Sequence, residues 1–444
     1  MDGVERALDG FLQRWRNSPA RKPLLLRGVR QVGKTYAARE LGRRAFPGGA
    51  HVVDLERDPG FATVFAADLD PRRILDEIGL RRGGALVPGR DLLVLDEIQA
   101  CPRALTSLRY FKEELPELHV IAAGSLLEFA LGRDGVSFPV GRITPVTVRP
   151  LSFFEFLRAI GKDVAAEIVA STPHDISAAS HEALLQALRD YLVVGGMPAA
   201  VAAYAAEGRR SAALEQQREL VRVYRDDFPK YRPASDPDLL DEVLGNVARG
   251  VGGQLLFTRL ARDRTRPTVS TAFRVLVRAG LVQPIHAASP AGLPLGASRG
   301  VHRFKAILAD LAFLHALCGL PLSREIARAD LLDIYAGALA EQYVGQELLA
   351  GLSRGGSVDP ELFYWAGEER GSTAEVDYLA ATGERISAIE VKASRPRGMS
   401  SLRRLLEKYP GVPVGHIVSM EPYAVDATRR MVRVPLYWAA RLTD

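Results

Sequence analysis

Residues 23–46 read PLLLRGVRQVGKTYAARELGRRAF. Inside this stretch Gly28, Val29, Arg30, Gln31, Val32, Gly33, Lys34 and Thr35 fit the pattern G-x-x-x-x-G-K-[ST]. The apolar run from Pro23 to Gly28 predicts a buried strand, and the Ala-, Arg- and Glu-rich run from Thr35 to Phe46 predicts a helix. That strand–loop–helix setting is the one the pattern requires. The glycines let the backbone curl until successive amide hydrogens point inward, at the positive end of the following helix. Such a loop cradles nucleotide phosphates: Lys34 is placed to bridge the β and γ phosphates, and the Thr35 hydroxyl to ligate Mg²⁺.

Outward from the loop, short apolar runs alternate with helical stretches. His51–Leu55, Asp91–Asp96, His119–Ala123 and Pro145–Arg149 read as strands, and Ala104–Leu115 as a helix ended by Pro116. The alternation predicts a parallel sheet with crossover helices, an α/β fold. In DLLVLDE at 91–97 the strand delivers Asp96 to the carboxyl edge of the sheet, where it can hold the water shell of Mg²⁺. Glu97 follows directly, and an acid there can polarise water for in-line attack on a γ phosphate. Hydrolysis of the γ phosphate is therefore expected, and transfer to a small-molecule acceptor is disfavoured. Ser125, past the fourth strand, can orient the attacking water or cap the N-terminus of the next helix. Arg142 can serve as an arginine finger, in cis or from a neighbouring subunit, or be a surface arginine.

The chain has 444 residues, enough for about two to four domains. Its 47% hydrophobic and 25% charged residues exclude wholesale disorder, collagen and coiled coil. A net charge of +5 permits a nucleic-acid partner without arguing strongly for one. Cys101 and Cys318 form neither a disulfide framework nor a thiolate cluster, so a cytoplasmic location is expected. Charges among the first residues, Asp2, Glu5 and Arg6, break up any signal-peptide core. The uncharged run Tyr191–Ala206 is interrupted by Gly195, Gly196 and Pro198, too short and broken for a membrane span. The eight histidines are scattered without metal-ligand spacing. Of the 58 basic residues only eight are lysine, so a lysine inside a chemical motif carries added weight.

Further along, residues 155–233 read as mostly helical. Helical patterns continue over 236–286, including Thr271–Ala279. The Gly/Pro/Ser-rich stretch 287–300 reads as a linker or flexible loop. Phe304–Leu308, Leu362–Trp365, Glu375–Leu379, Ile386–Val391 and His416–Ser419 then read as strands, and Tyr335–Leu349 as a helix, forming a second α/β domain.

RGVRQVGKT at 27–35, LDEIQ at 95–99, AAGSLLEFAL at 122–131, GRI at 141–143, RPLSFFEFL at 149–157 and YLVVGGMPAAV at 191–201 resemble the prokaryotic AAA-type P-loop ATPases. Members of that family carry a winged-helix region and a restriction-endonuclease-like tail of unknown function. The resemblance covers nearly the whole chain. It implies an additional-strand P-loop core over 1–160, a helical lid or connector over 161–235, a winged-helix-like segment over 236–290 and a nuclease-like domain over 300–444. It also implies Mg-ATP as ligand and the roles given above for Asp96, Glu97, Ser125 and Arg142. It implies no particular substrate.

The tail carries AEVD at 374–377 and IEVK at 389–392. On a strand, period-2 alternation sets Glu390 and Lys392 on one face, and Asp377 on an adjoining strand can approach them. Two carboxylates and an ammonium would then converge and could hold one or two Mg²⁺ ions that activate water. The pattern resembles the acidic core of restriction-endonuclease-like nucleases, with Glu341 matching the helix glutamate such cores add and Glu347 the less favoured choice. The alternative is a solvated ion pair on an amphipathic strand. Residues 265–284 have the helix–turn–strand look of a winged helix. Thr265, Arg266, Thr268, Ser270, Thr271 and Arg274 would contact phosphates if it met DNA; packing between domains is the alternative. The expectation is an Mg²⁺-dependent ATPase that repositions a winged-helix and nuclease-like module on DNA. The competing reading is a nucleotide-controlled switch that binds a protein partner, with an inactive tail. A homo-oligomer is required only if Arg142 acts in trans.

Overall fold

In the computed structural model the described residues are 6–124, 141–231, 235–300, 303–319, 337–354, 360–367, 372–393 and 399–444. They fall into two units that part at Arg149 and Pro150. The N-terminal unit holds α1 (Ala7–Asn17), β1 (Leu24–Arg27), α2 (Lys34–Ala45), β2 (Ala50–Asp54), α3 (Pro71–Arg82), β3 (Leu92–Asp96), α4 (Pro102–Glu114), β4 (His119–Ala123) and β5 (Thr144–Thr147). All five strands are parallel, in the order β2-β3-β4-β1-β5. β3 and β4 are buried at every position, which is why they read as continuous apolar runs rather than alternating ones. β4 stands between β1 and β3, so the strand feeding the phosphate loop and the strand ending at Asp96 are separated by one additional strand. The helices begin where local chemistry starts them: Asp70 accepts hydrogen bonds from the amides of Arg72 and Arg73, and Pro71 and Pro102 occupy first-turn positions.

The second unit opens with α5 (Phe153–Ala159), α6 (Asp163–Ala170), α7 (Ala178–Val194), α8 (Pro198–Glu207) and α9 (Arg210–Asp227), followed by α10 (Pro237–Arg249), α11 (Phe257–Leu260) and α12 (Arg266–Arg278). Its eight-stranded sheet has the order β12-β13-β11-β10-β9-β8-β6-β7. The strands are β6 (Val282–Ala287), β7 (Phe304–Leu308), β8 (Phe363–Ala366), β9 (Glu375–Thr382), β10 (Arg385–Lys392), β11 (Gly415–Ser419), β12 (Ala424–Asp426) and β13 (Met431–Pro435). Helices α13 (Leu311–Leu317), α14 (Ala338–Arg354) and α15 (Ser400–Lys408) complete the unit.

Here the structure differs from the segment boundaries expected at 290 and 300. β6 and β7 form an antiparallel hairpin, and β6 also pairs in parallel with β8 through His286 and Ala287. The hairpin therefore belongs to the same sheet as the tail. The stretch 287–300, expected as a linker or flexible loop, is the hairpin's own loop, tied back where the Ser289 amide donates to Ser298 Oγ at 2.8 Å and the Gly300 amide to the Ala287 carbonyl at 2.8 Å.

The segments RPLSFFEFL and YLVVGGMPAAV meet in a buried polar network in this unit. Leu151 N donates to Gly196 O at 2.7 Å, and Tyr191 Oη donates to Leu151 O at 2.5 Å. Gly196 N donates to Asp310 Oδ2 at 2.8 Å, while Gln346 Nε2 donates to both Tyr191 Oη and Asp310 Oδ2. A Cβ on Gly196 would stand 2.1 Å from Leu151 O, so only glycine allows this approach. Glu347 accepts from the Phe153 amide at 2.8 Å and is thereby a helix-start partner in the core. Among the described residues no helix is long and apolar enough to cross a membrane.

Candidate nucleotide site and acidic cluster

The phosphate loop joins β1 to α2. Gly28 has φ +133°, and a Cβ there would meet Val148 O at 2.2 Å, so the entry to the loop excludes any side chain. Gly33 is left-handed at φ 96° and forms the N-cap of α2, while Gln31 is a non-glycine residue at φ 61°. Val29 and Val32 are buried and anchor the loop between them. Lys34, the first residue of α2, folds over the loop and donates to the carbonyls of Gly28 at 2.9 Å and Val29 at 3.0 Å. Burial pushes its ammonium down to about 8, with the charges of Glu97 and Asp96 working the other way.

Thr35 Oγ1 donates to Asp96 Oδ2 at 2.7 Å across 61 residues of sequence. Burial raises the Asp96 carboxyl despite that hydrogen bond. A hydroxyl and a buried carboxylate held this close are a hard-oxygen donor pair, and they fit Mg²⁺. Glu97 takes a left-handed backbone at φ 48° and accepts from Gln99 Nε2 at 2.5 Å. Gln99 lies in the quoted LDEIQ segment, yet nothing in its spacing pointed to this contact. Ser125 lies outside the described residues. Arg142 is described, and its Nε donates to Glu113 Oε1 at 2.8 Å. It precedes β5, whose Thr144 pairs in parallel with Leu24 at the start of β1. Arg142 thus stands at the amino edge of the sheet and the phosphate loop at the carboxyl edge, about 13 Å of strand away. The arrangement corrects the expectation that Arg142 could act in cis.

In the C-terminal sheet the period-2 reading brings Glu390 and Lys392 together, with Lys392 Nζ 2.6 Å from Glu390 Oε1. Asp377 on β9 accepts the Val391 amide at Oδ2, 2.8 Å away. What the motif reading missed is Lys305 on β7. Its Nζ lies 2.7 Å from Glu341 Oε2, 2.9 Å from Glu375 Oε1 and 3.1 Å from Asp377 Oδ1, and the residue is only 2% exposed. Gln254 Nε2 donates to the other oxygen of Glu375 at 2.7 Å. Burial disfavours the Lys305 charge, but Asp377, Glu341 and Glu375 more than offset it and hold the ammonium well above its ordinary range. Burial and the neighbouring Asp377 push both Glu341 and Glu390 upward. Where the sequence placed Mg²⁺ among Glu341, Asp377 and Glu390, the carboxylates meet an ammonium of their own chain. Both Asp377 oxygens and one Glu390 oxygen are engaged, while Glu390 Oε2 is buried without a hydrogen-bond partner, and the cation that the structure sets between Asp377 and Glu341 is the Lys305 ammonium. A signal was present: Lys305 is one of eight lysines and sits in FKAIL, a strand buried at all five positions, where a charge demands partners.

The segment 236–308 runs α10, a single bridge between Leu255 and Phe304, α11, α12 and the β6–β7 hairpin. On and beside α12, Arg262, Arg264, Thr265, Arg266, Thr268, Arg274 and Arg278 are exposed, while Ser270 and Thr271 are half-buried.

Residues 20–157 match the family model described as an AAA domain. The N-terminal unit has the AAA-type P-loop fold. The AAA domain is followed by matches to two models described as domains of unknown function, DUF8612 over residues 185–324 and DUF4143 over residues 336–437. Comparison with curated proteins returns no match. Among solved structures the chain is similar to PCH-2 of C. elegans at 13% identity and a TM-score of 0.23, covering 39% of this chain and 50% of that one, so it spans half the length of that relative. It is also similar to the Aeropyrum pernix ORC2 protein, with 14% identity, 73% and 93% coverage and a TM-score of 0.33. For Thermotoga maritima RuvB the values are 19% identity, 62% and 86% coverage and a TM-score of 0.28.

Proposed function

We propose that the chain binds Mg-ATP at the loop Gly28–Thr35, hydrolyses it, and uses the cycle to reposition its second unit on DNA. The observation that carries the reading is the convergence of Lys34, Thr35 and Asp96, delivered by two different strands onto one edge of an AAA-type sheet. Mg²⁺ held by Thr35 and Asp96 would neutralise charge on the bound phosphates. Lys34, now satisfied by its own loop carbonyls, turns its ammonium to the phosphates when they enter. Glu97 orients water for in-line attack once Gln99 releases its carboxylate. Arg142, being at the far edge of its own sheet, acts on the site of a neighbouring copy, and Ser125 is retained as a water-orienting group.

DNA as the partner is supported by the arginine-rich exposed face of α12 within a helix–helix–helix–hairpin order like that of a winged helix, Thr268, Ser270 and Thr271 adding phosphate contacts. The test is ATP binding and turnover with and without duplex and single-stranded DNA at several salt concentrations. Lys34→Ala is expected to lose nucleotide binding, and Glu97→Gln to keep binding and lose hydrolysis. Turnover stimulated by DNA supports the full reading. Turnover indifferent to DNA, together with no binding at low salt, favours the nucleotide-controlled protein switch instead.

A further inference from the structure

The acidic cluster in the C-terminal sheet is assembled from four separate places in the chain. Glu375 and Asp377 come from β9, Glu390 and Lys392 from β10, Glu341 from α14, and Lys305 from the hairpin strand β7. The side from which Lys305 enters is also closed by the turn after α10. Gln254 donates to Glu375, and a Cβ on Gly252 would come within 3.4 Å of Glu341 Oε1. Three carboxylates thus surround one buried ammonium at 2.7, 2.9 and 3.1 Å.

Elementary electrostatics states what such a group does. Carboxylates crowded in a buried site repel one another and must be neutralised by a cation, by protons or by both. A divalent ion would do this with oxygen ligands at about 2.0–2.6 Å. The ammonium does it with hydrogen bonds at ordinary lengths, and its four-carbon stem lies in the apolar strand FKAIL, which leaves the charge nowhere else to go. Removing it would strand several like charges out of water, whereas a bound metal can be withdrawn into solvent with its ligands left to rehydrate or protonate.

We propose that Lys305 stands where a divalent cation would sit, so that the acidic cluster is an ionic joint tying the edge strand β7 and the turn after α10 to β9 and α14 rather than a metal-dependent hydrolytic centre. This inference is independent of the ATP reading, since every residue in it belongs to the second unit. The nuclease-like pattern then serves cohesion within the second unit.

The experiment uses the full chain without nucleotide, in an Asp96→Asn background so that the phosphate loop contributes no metal binding. Free Mn²⁺ is followed by electron paramagnetic resonance during titration, comparing this background with the same chain carrying Asp377→Asn. The two are expected to take up Mn²⁺ identically, and Tm is expected to be the same in EDTA and in Mn²⁺. Mn²⁺ uptake lost on Asp377→Asn, or DNA cleavage lost on Asp377→Asn or Glu390→Gln, overturns the proposal. In a second arm, Lys305→Met is expected to lower Tm, and by less in a chain that also carries Asp377→Asn, because the joint is then relieved of one stranded charge. An unchanged Tm in Lys305→Met, or a loss that is the same in both backgrounds, overturns it as well. Should Lys305→Met fail to fold, the Mn²⁺ and cleavage comparisons decide alone.

Discussion

Gly28 shows how little room a single residue can have. Its φ of +133° and the 2.2 Å approach of Val148 O to a hypothetical Cβ leave no space for a methyl group. Gly28→Ala is expected to abolish nucleotide binding and to cost about 1–3 kcal/mol of stability in the N-terminal unit, read by nucleotide titration and urea unfolding. Lys34 offers a second test at this scale. In the nucleotide-free loop burial holds its ammonium at about 8, whereas bound phosphates would favour the charged form. Binding above that pH must therefore take up a proton. Affinity for ATP is expected to be flat below pH 8 and to fall above it by roughly tenfold per pH unit, measured by equilibrium titration. A profile flat through that region would mean that the phosphates do not meet Lys34.

Between elements, the second unit is held by buried polar groups. His315 on α13 donates through Nε2 to Leu192 O of α7 at 2.6 Å, and burial lowers its pKa from 6.5 to about 4 despite that carbonyl. The unfolded chain protonates this imidazole near 6.5 and the folded chain resists until about 4, so the unfolded state binds more protons in that window. Stability accordingly falls as pH drops through it and levels off below it, by at most roughly 3 kcal/mol. His315→Gln keeps an N–H for Leu192 O and cannot titrate. It is expected to flatten the acid dependence, seen as a smaller change in the urea midpoint across the window. Tyr191 links α7 to the segment before α5 and to α14 through its hydroxyl. Tyr191→Phe leaves the Leu151 carbonyl short of a donor in the core and should cost about 1–3 kcal/mol with ATP turnover retained. Packing thus accounts for the GGMP and RPLS segments: glycine at 196 is needed for the close backbone approach to Leu151.

For the whole molecule, the edge on which a residue stands outweighs its place in a motif. Arg142 lies just before β5 at the amino edge of the sheet and pairs with Glu113, away from its own phosphate loop. If it acts on a neighbouring copy, Arg142→Ala and Lys34→Ala should each be inactive alone and should recover part of the turnover when mixed. Mixtures that stay inactive would remove the trans role. Much of this was legible from residues 23–46 and 91–97, because a strand, a glycine-rich turn and a helix start are set by backbone sterics and apolar runs over a few positions. The same holds for Glu390 and Lys392, neighbours on one strand face through period-2 geometry alone. Lys305 was not legible in that way. It reaches Asp377 across 72 residues, and only the pairing of β6 with both β7 and β8 carries it there. Local stereochemistry therefore determined the nucleotide loop, its acidic partner strand and the alternating tail strands. Which cation neutralises the tail, and which edge Arg142 occupies, were decided by long-range strand order, because contacts distant in sequence form only where packing brings whole elements together.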